Sequence, residues 1–499
     1  MNSAECFKKL SDLICEVTEM RSISNLLHWD QNTYMPIQGA KGRGRQVATL
    51  GKITHEKFTS VEIGKLLEQL EGYENQIPYH SFESSFLRLV RREFQLATQV
   101  PAKFISEMLN HFSACYNTWI KARAENNFKL IQSMLEKSIE FSIQYADFFP
   151  HKHISDPLIA EFDYGFSAAS VQEIFTKLRV ELLPFVKEVL NQEQENHDFL
   201  NKKYPKDLQK EIVERILKEI GYDMSRGRVD VTYHPFMLSL SHGDVRITTR
   251  YDEDNFTDSL LSTIHEAGHA FYELGNAESL DGSILFGGTS AGIHESQSRL
   301  WENMVGRSFS FWEFFYPTLQ KTFSDQLNNV SVQQFYAGIN KVTPSLIRTE
   351  ADELTYNLHV MIRCDLETQM LEGNLKVKDL PEAWNARYLS DLGIKVTNDV
   401  NGCLQDVHWF SGLVGGSFQG YTLGNIMSAQ FYDAAHAALP NLKSEMKAGN
   451  FVNLKNWLTE NIHCHGKKFT GLEVLKMATK SELNIANYMN YLKKKFPIK

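Results

Sequence analysis

Residues 264–269 read Ile264-His265-Glu266-Ala267-Gly268-His269, a His-Glu-x-x-His motif inside a helical pattern. Two histidines four apart on an α-helix differ by about 40° of rotation, so both project from one face. That is the geometry two imidazoles need to hold one Zn²⁺. The glutamate beside the first histidine then lies next to the metal, where it can take a proton from water. Ile264, Phe271 and Leu274 give the same helix an apolar side, and small Ala267 and Gly268 leave room for another element to approach closely. Thr257 or Asp258 is expected to cap this helix and Gly275-Asn276 to end it.

Upstream, Val229, Val231 and Tyr233 alternate, as do Val245, Ile247 and Thr249, with a turn expected at Ser241-His242-Gly243-Asp244. This reads as a small β-hairpin just before the metal helix, whose exposed edge could take an extended peptide. Elsewhere the rhythm is helical. Cys6, Leu10, Leu13, Ile14 and Val17 recur at three-to-four spacing, and so do Phe104, Ile105, Met108, Leu109 and Phe112 after Pro101. These stripes are read as core. Asn191 to Lys210 reads as an exposed helix connection, and no internal repeat is visible.

The bulk numbers bound the class. A chain of 499 residues with 42% hydrophobic and 23% charged content buries a large core and is not disordered. A net charge of −9 argues against nucleic acid as the main partner. The basic run Lys493-Lys494-Lys495 is read as a solvated helix end. Six cysteines, at 6, 15, 115, 364, 403 and 464, show no CxxC spacing and no disulfide framework, which fits a reduced, cytoplasmic compartment. No signal peptide and no membrane span are expected.

A catalytic zinc needs a third protein ligand and an open position. Glu273 lies a turn too far along the helix. Glu295, opening a new helical pattern after the Gly-rich stretch from Gly282 to Gly292, could be presented by a second helix; His294 is its rival. The Gly-rich stretch lacks the Lys-Ser/Thr of a phosphate loop and reads as a crossover. The chemistry expected is peptide hydrolysis: Glu266 takes a proton from metal-activated water and returns it to the leaving amine, while a tyrosine, histidine or arginine from the C-terminal half assists the oxyanion.

Further motifs occur in order: His234-Pro235-Phe236, Asp244-Val245-Arg246-Ile247-Thr248, His265 to His269, His294-Glu295-Ser296-Gln297, Ile347-Arg348-Thr349-Glu350-Ala351-Asp352, and Gly402-Cys403-Leu404-Gln405-Asp406-Val407-His408-Trp409. With His28-Trp29-Asp30-Gln31 and Met35-Pro36, they make the chain resemble the carboxypeptidase Taq family of metallocarboxypeptidases over nearly its whole length. The resemblance implies a mainly α, bundle-like single domain over residues 1–499, with a deep substrate groove and a small sheet beside the zinc helix. A helical part of about 1–220 would cover the groove, and a part of about 221–499 would carry catalysis. It implies a homodimer, stepwise release of C-terminal residues with broad specificity and proline disfavoured, zinc held by His265, His269 and Glu295, and Glu266 as general base. It implies, too, that cobalt can replace zinc in support of activity.

The remaining motif residues suit that chemistry. A free C-terminal carboxylate is best bound by a guanidinium, and Arg348 and Arg246 are the candidates; the plainer reading is a structural ion pair, for instance Arg348 with Asp352. Asp244 and Thr248 would orient the strand of Arg246, and Asp406 would orient its neighbours. His234 could bind substrate or pack under the hairpin. His408 and Tyr421 are candidate oxyanion donors. Many family members carry a Gly-Tyr-Phe-Pro-Thr-Tyr stretch; here it reads Gly416-Ser417-Phe418-Gln419-Gly420-Tyr421, so this stretch supplies one phenol, Tyr421, where such members have two. His463-Cys464-His465 reads as packing and not as a second metal site. The neighbouring alternative in chemistry is an endo-acting zinc oligopeptidase, which would tolerate an amidated C-terminus. The alternative in class is a non-catalytic helical binding protein, against which the intact Glu266 speaks.

Overall fold

A computed structural model describes residues 2–192 and 197–498. The protein is mainly α-helical with one three-stranded sheet. It opens with a long helix, Ser3–Thr33, started by a capping box between Asn2 and Glu5. Cys6, Leu10, Ile14 and Val17 are buried on one side of it. They join Phe58, Leu66, Phe86 and Val90 in a smaller core that also takes Leu280, just before the Gly-rich crossover, and Ile284 and Leu285 from within it. The main core runs from Val100 to Phe496 and contains the metal helix.

The stripe after Pro101 forms helix Ala102–Ala124, in which Met108 and Phe112 are buried as expected. Leu109 is not core: it lies 59% exposed, one position off the buried face. The connection after Asn191 is anchored in part. Residues 193–196 of it fall outside the described residues, but Phe199 and Tyr204 are buried, and Tyr204 stacks on Phe256 at the start of the metal helix with ring centroids 3.9 Å apart. The C-terminal basic run is solvated only at Lys493 and Lys494. The Lys495 side chain is 6% exposed and paired with Glu353.

The sheet has the order β1-β3-β2, with β1 at Val229–Val231, β2 at Met237–Ser241 and β3 at Asp244–Thr249. The hairpin therefore differs from the expected one. The partner of β3 across the His242-Gly243 turn is β2, whereas Val229–Val231 pairs with β3 in parallel. The chain reverses between Val231 and Met237, at His234-Pro235-Phe236. Thr248 pins this reversal: its hydroxyl accepts from the Phe236 amide at 2.8 Å and donates to the Phe236 carbonyl at 3.0 Å. The β2 edge is not open at Ser239, whose carbonyl accepts from Asn25, nor at Leu240, whose carbonyl accepts from Ser22. Period-two alternation sends Val245, Ile247 and Thr249 into the core, while Arg246, on the other face, lies over the Trp29 ring at 5.6 Å.

Candidate metal centre

Helix Phe256–Leu274 presents His265, Glu266 and His269. Its N-cap is Asn255, not Thr257 or Asp258, and no side chain caps it; Gly275 ends it as expected. The second helix, Ala291–Arg299, is capped by Ser290 and carries Glu295. Gly268 sets their spacing: a Cβ there would lie 2.7 Å from the Gln297 carbonyl oxygen and from the Ser298 Cα. On the opposite side, a Cβ on Gly424 of helix Gln419–Ala438 would lie 2.8 Å from the Glu295 Cβ. The helix that carries Glu295 is thus wedged between two helices that meet it at glycines, Gly268 against Gln297 and Ser298 and Gly424 against Glu295. Gly268→Ala is expected to cost about 1–3 kcal/mol of stability through overpacking. It is also expected to weaken metal binding by moving Glu295; thermal unfolding with and without metal separates the two effects.

His265 Nε2 and His269 Nε2 face the same Glu295 Oε2, at 3.7 and 3.4 Å. Donors about 2.0–2.2 Å from one tetrahedral ion stand roughly 3.3–3.5 Å from each other, so this spacing fits a divalent cation. Among the described residues these three form a group whose ligand atoms all lie within 4.8 Å of one another.

The surroundings decide the tautomers. His265 Nδ1 lies 2.9 Å from Glu302 Oε2. An imidazole that donates from Nδ1 to a carboxylate turns its Nε2 lone pair outward to a metal. His269 Nδ1 lies 2.6 Å from His294 Nδ1, and His294 Nε2 lies 2.9 Å from Glu273 Oε1. Since Glu273 can only accept, His294 donates to it and accepts from His269, which again leaves the His269 Nε2 lone pair free. Glu273 does not reach the ligand triad, and His294 serves it from behind. Glu295 Oε1 accepts from Arg299 Nε at 2.7 Å, and Oε2 from Ser298 Oγ at 3.1 Å.

Electrostatics follow from burial. Burial raises the Glu266 carboxyl to about 7, with the charge of Glu295 adding to the rise. Burial lowers His269 to about 3. Glu302 is held at about 2, burial being outweighed by Arg299 and by the hydrogen bond from His265. His265 moves the other way: burial lowers its pKa, but Glu295 and the hydrogen bond to Glu302 outweigh it and raise it. Two imidazoles and one carboxylate are the donor types a zinc-type ion takes, and binding one releases any proton His265 holds.

A second cluster adjoins the first. Arg299 lies over the Tyr356 ring at 4.3 Å, and the Tyr356 hydroxyl accepts from Arg348 Nη1 at 2.9 Å. Arg348 Nε and Arg363 Nε both donate to Asp406 Oδ2, at 2.7 and 2.9 Å. Arg348 does not pair with Asp352, which accepts backbone N–H groups of Thr343, Leu354 and Thr355. His408 Nδ1 lies 2.6 Å from Asp406 Oδ1, and its Nε2 lies 3.4 Å from the Tyr421 hydroxyl. Tyr421 also lies under Arg348, 5.0 Å from ring centroid to guanidinium carbon. Two guanidiniums share one carboxylate here, leaving a surplus positive charge beside Tyr421. Arg246, in contrast, is closed in a two-hydrogen-bond pair with Asp244, both bonds 2.7 Å. His234 lies on the exposed loop after β1; partial desolvation, then the charges of Arg348, Arg250 and His408, lower its pKa.

Four groups of this network were not singled out as site residues from the sequence: Glu302, Arg299, Tyr356 and Arg363. The first two had a visible signal, since Glu295, Arg299 and Glu302 recur at four and three residues on one helical face. Tyr356 supplies the second phenol at Arg348 that Ser417 does not, its ring 6.3 Å from that of Tyr421. His463 is fully buried with its Nε2 2.9 Å from Gln297 Oε1, so it braces the second helix and joins no metal group among the described residues. Among those residues no helix is long and apolar enough to cross a membrane.

Residues 9–496 match the model of the carboxypeptidase Taq (M32) metallopeptidases. Carboxypeptidase 1 of Bacillus subtilis (strain 168) is 35% identical, over 98% of this chain and 97% of its own length. Thermostable carboxypeptidase 1 of Thermus thermophilus is 34% identical, over 99% of both. The crystal structure of the M32 carboxypeptidase from Deinococcus radiodurans R1 superposes with a TM-score of 0.96 at 42% identity, covering 99% of each chain.

Proposed function

The chain belongs to the carboxypeptidase Taq (M32) metallopeptidases and is a metallocarboxypeptidase, and from that premise we propose how its residues divide the work. His265, His269 and Glu295 hold zinc, with cobalt an alternative, and the observation that carries this is the convergence of their three donor atoms. When bound, the ion supplies Lewis acidity, acidifying water and polarising the scissile carbonyl.

Glu266 is the general base. Buried and raised to about 7, it accepts a proton from the attacking water near neutral pH and passes it to the leaving amine. Arg348 binds the substrate's C-terminal carboxylate. It carries the surplus positive charge of the Asp406 cluster, while Arg246 is already neutralised by Asp244. Tyr421 and His408 serve as donors to the developing oxyanion, His408 being oriented by Asp406. Arg246 and His234 make secondary contacts to the peptide.

The substrates are peptides of varied C-terminal residue, proline disfavoured. The resemblance in motifs supports a groove-lined single domain and a homodimer, and the free cysteines fit a cytoplasmic setting. The test is a peptide ladder. Incubation with an unmodified peptide, read by mass spectrometry, is expected to show sequential loss from the C-terminus that stops on adding a chelator and resumes with zinc. A single internal cut, or equal cleavage of the C-terminally amidated peptide, would favour an endo-acting oligopeptidase instead.

A further inference from the structure

The last helix, Ala486–Lys495, ends in a lysine that is inside the protein. The Lys495 ammonium has three N–H groups and three partners: Glu353 Oε2 at 2.5 Å, the Tyr491 hydroxyl at 3.0 Å and the Asn303 carbonyl at 3.1 Å. Lys495 and Glu353 side chains are only 6% and 4% exposed. An ion pair at that depth is costly to form and is tolerated when every charged hydrogen bond is made.

What the ammonium holds gives it meaning. Asn303 sits in the π-helical turn Leu300–Gly306 that continues the Glu295 helix. A π turn is wider than an α turn and rare, and here the Asn303 carbonyl takes an outside donor, the Lys495 ammonium at 3.1 Å, while the Tyr491 hydroxyl beside it gives its one proton to the nearer Glu353 Oε1 at 2.7 Å. The residue before Asn303 is Glu302, which receives the His265 Nδ1 hydrogen bond. Glu353 follows the short helical turn Arg348–Glu350 that carries the substrate arginine. One terminal side chain thus ties the element that orients a metal-ligating imidazole to the segment that carries Arg348.

We propose that Lys495 is a positioning residue for the metal centre. By gripping the Asn303 carbonyl and Glu353 together it fixes the π turn in the conformation that aims Glu302 at His265, so docking of the C-terminal helix sets metal affinity. This rests on His265, His269 and Glu295 being the metal ligands.

The test measures zinc affinity by competition with a chromophoric chelator, and apo-protein thermal unfolding, on the full chain. Lys495→Met alone strands Glu353 in the interior and can unfold the protein, so the deciding variant is Lys495→Met with Glu353→Met, which removes both charges at similar volume. The double variant is expected to keep the parental apo unfolding temperature while binding zinc about 10- to 100-fold more weakly, the range for loss of groups that orient a ligand. Adding Glu302→Gln is expected to bring little further loss, because the two changes act through one contact. A double variant with parental zinc affinity, or one in which Glu302→Gln takes its full separate toll, overturns the proposal and leaves Lys495 as a docking contact only. A parent protein that takes up no zinc overturns the metal-site reading itself, and the inference with it.

Discussion

Replacing Glu266 by glutamine is expected to lower kcat by about 10²- to 10⁴-fold, the range a positioned acid–base group supplies, with bound zinc unchanged. The substitution keeps the shape and leaves both histidines in place, but an amide cannot accept the proton. Glu266 is 7% exposed, adjoins His265 in the chain and is not one of the three converging donors, so metal content and activity should separate. Metal analysis beside single-turnover kinetics decides it: a variant that still cleaves at the parental rate removes Glu266 from the role, and one that loses its zinc makes it structural.

The second large effect is at Arg348. Arg348→Met is expected to lower kcat/KM for peptides with a free C-terminus by about 30- to 1,000-fold. That corresponds to about 2–4 kcal/mol, typical for deleting one partner of a buried, hydrogen-bonded charge pair. The fold should tolerate the change, because Asp406 keeps Arg363 and His408 as partners. The diagnostic readout is the ratio of rates on free and amidated peptides. The parent should strongly prefer the free acid, and the variant should lose most of that preference. A variant slowed equally on both, with the preference intact, would assign the carboxylate to another group, and Arg246→Met is then the next measurement.

The metal helix was readable because its information is local. Four-residue spacing puts His265 and His269 on one face of any helix, whatever packs around it. Gly268 as the route for a close neighbour was equally plain, since a Cβ there would stand only 2.7 Å from the backbone of the second helix. Arg348 shows where spacing misleads. The offset of four to Asp352 suggests an ion pair only in an α-helix, but Arg348–Glu350 is a single tight turn, and the partner comes instead from Asp406. The strand pairing failed for a related reason. Alternation identifies a strand but not its neighbour, and the run Met237–Ser241, not Val229–Val231, lies next to the turn.

By itself the sequence determined a mainly helical chain with a small sheet, the imidazole pair with its adjoining acid, and the family whose ordered motifs it carries. These depend on residues near one another in the chain or on patterns that survive without coordinates. Spacing placed Glu302 on the face of Glu295, but tertiary structure decided which partner each of these groups takes: Glu302 behind His265, His294 and Glu273 behind His269, Arg363 sharing Asp406 with Arg348, and Lys495 beneath the turn that carries Glu302. Those partners come together from as far as 192 residues apart, the separation between Asn303 and Lys495. Hydrogen bonds at that range are set by how helices pack, and no local spacing encodes the packing.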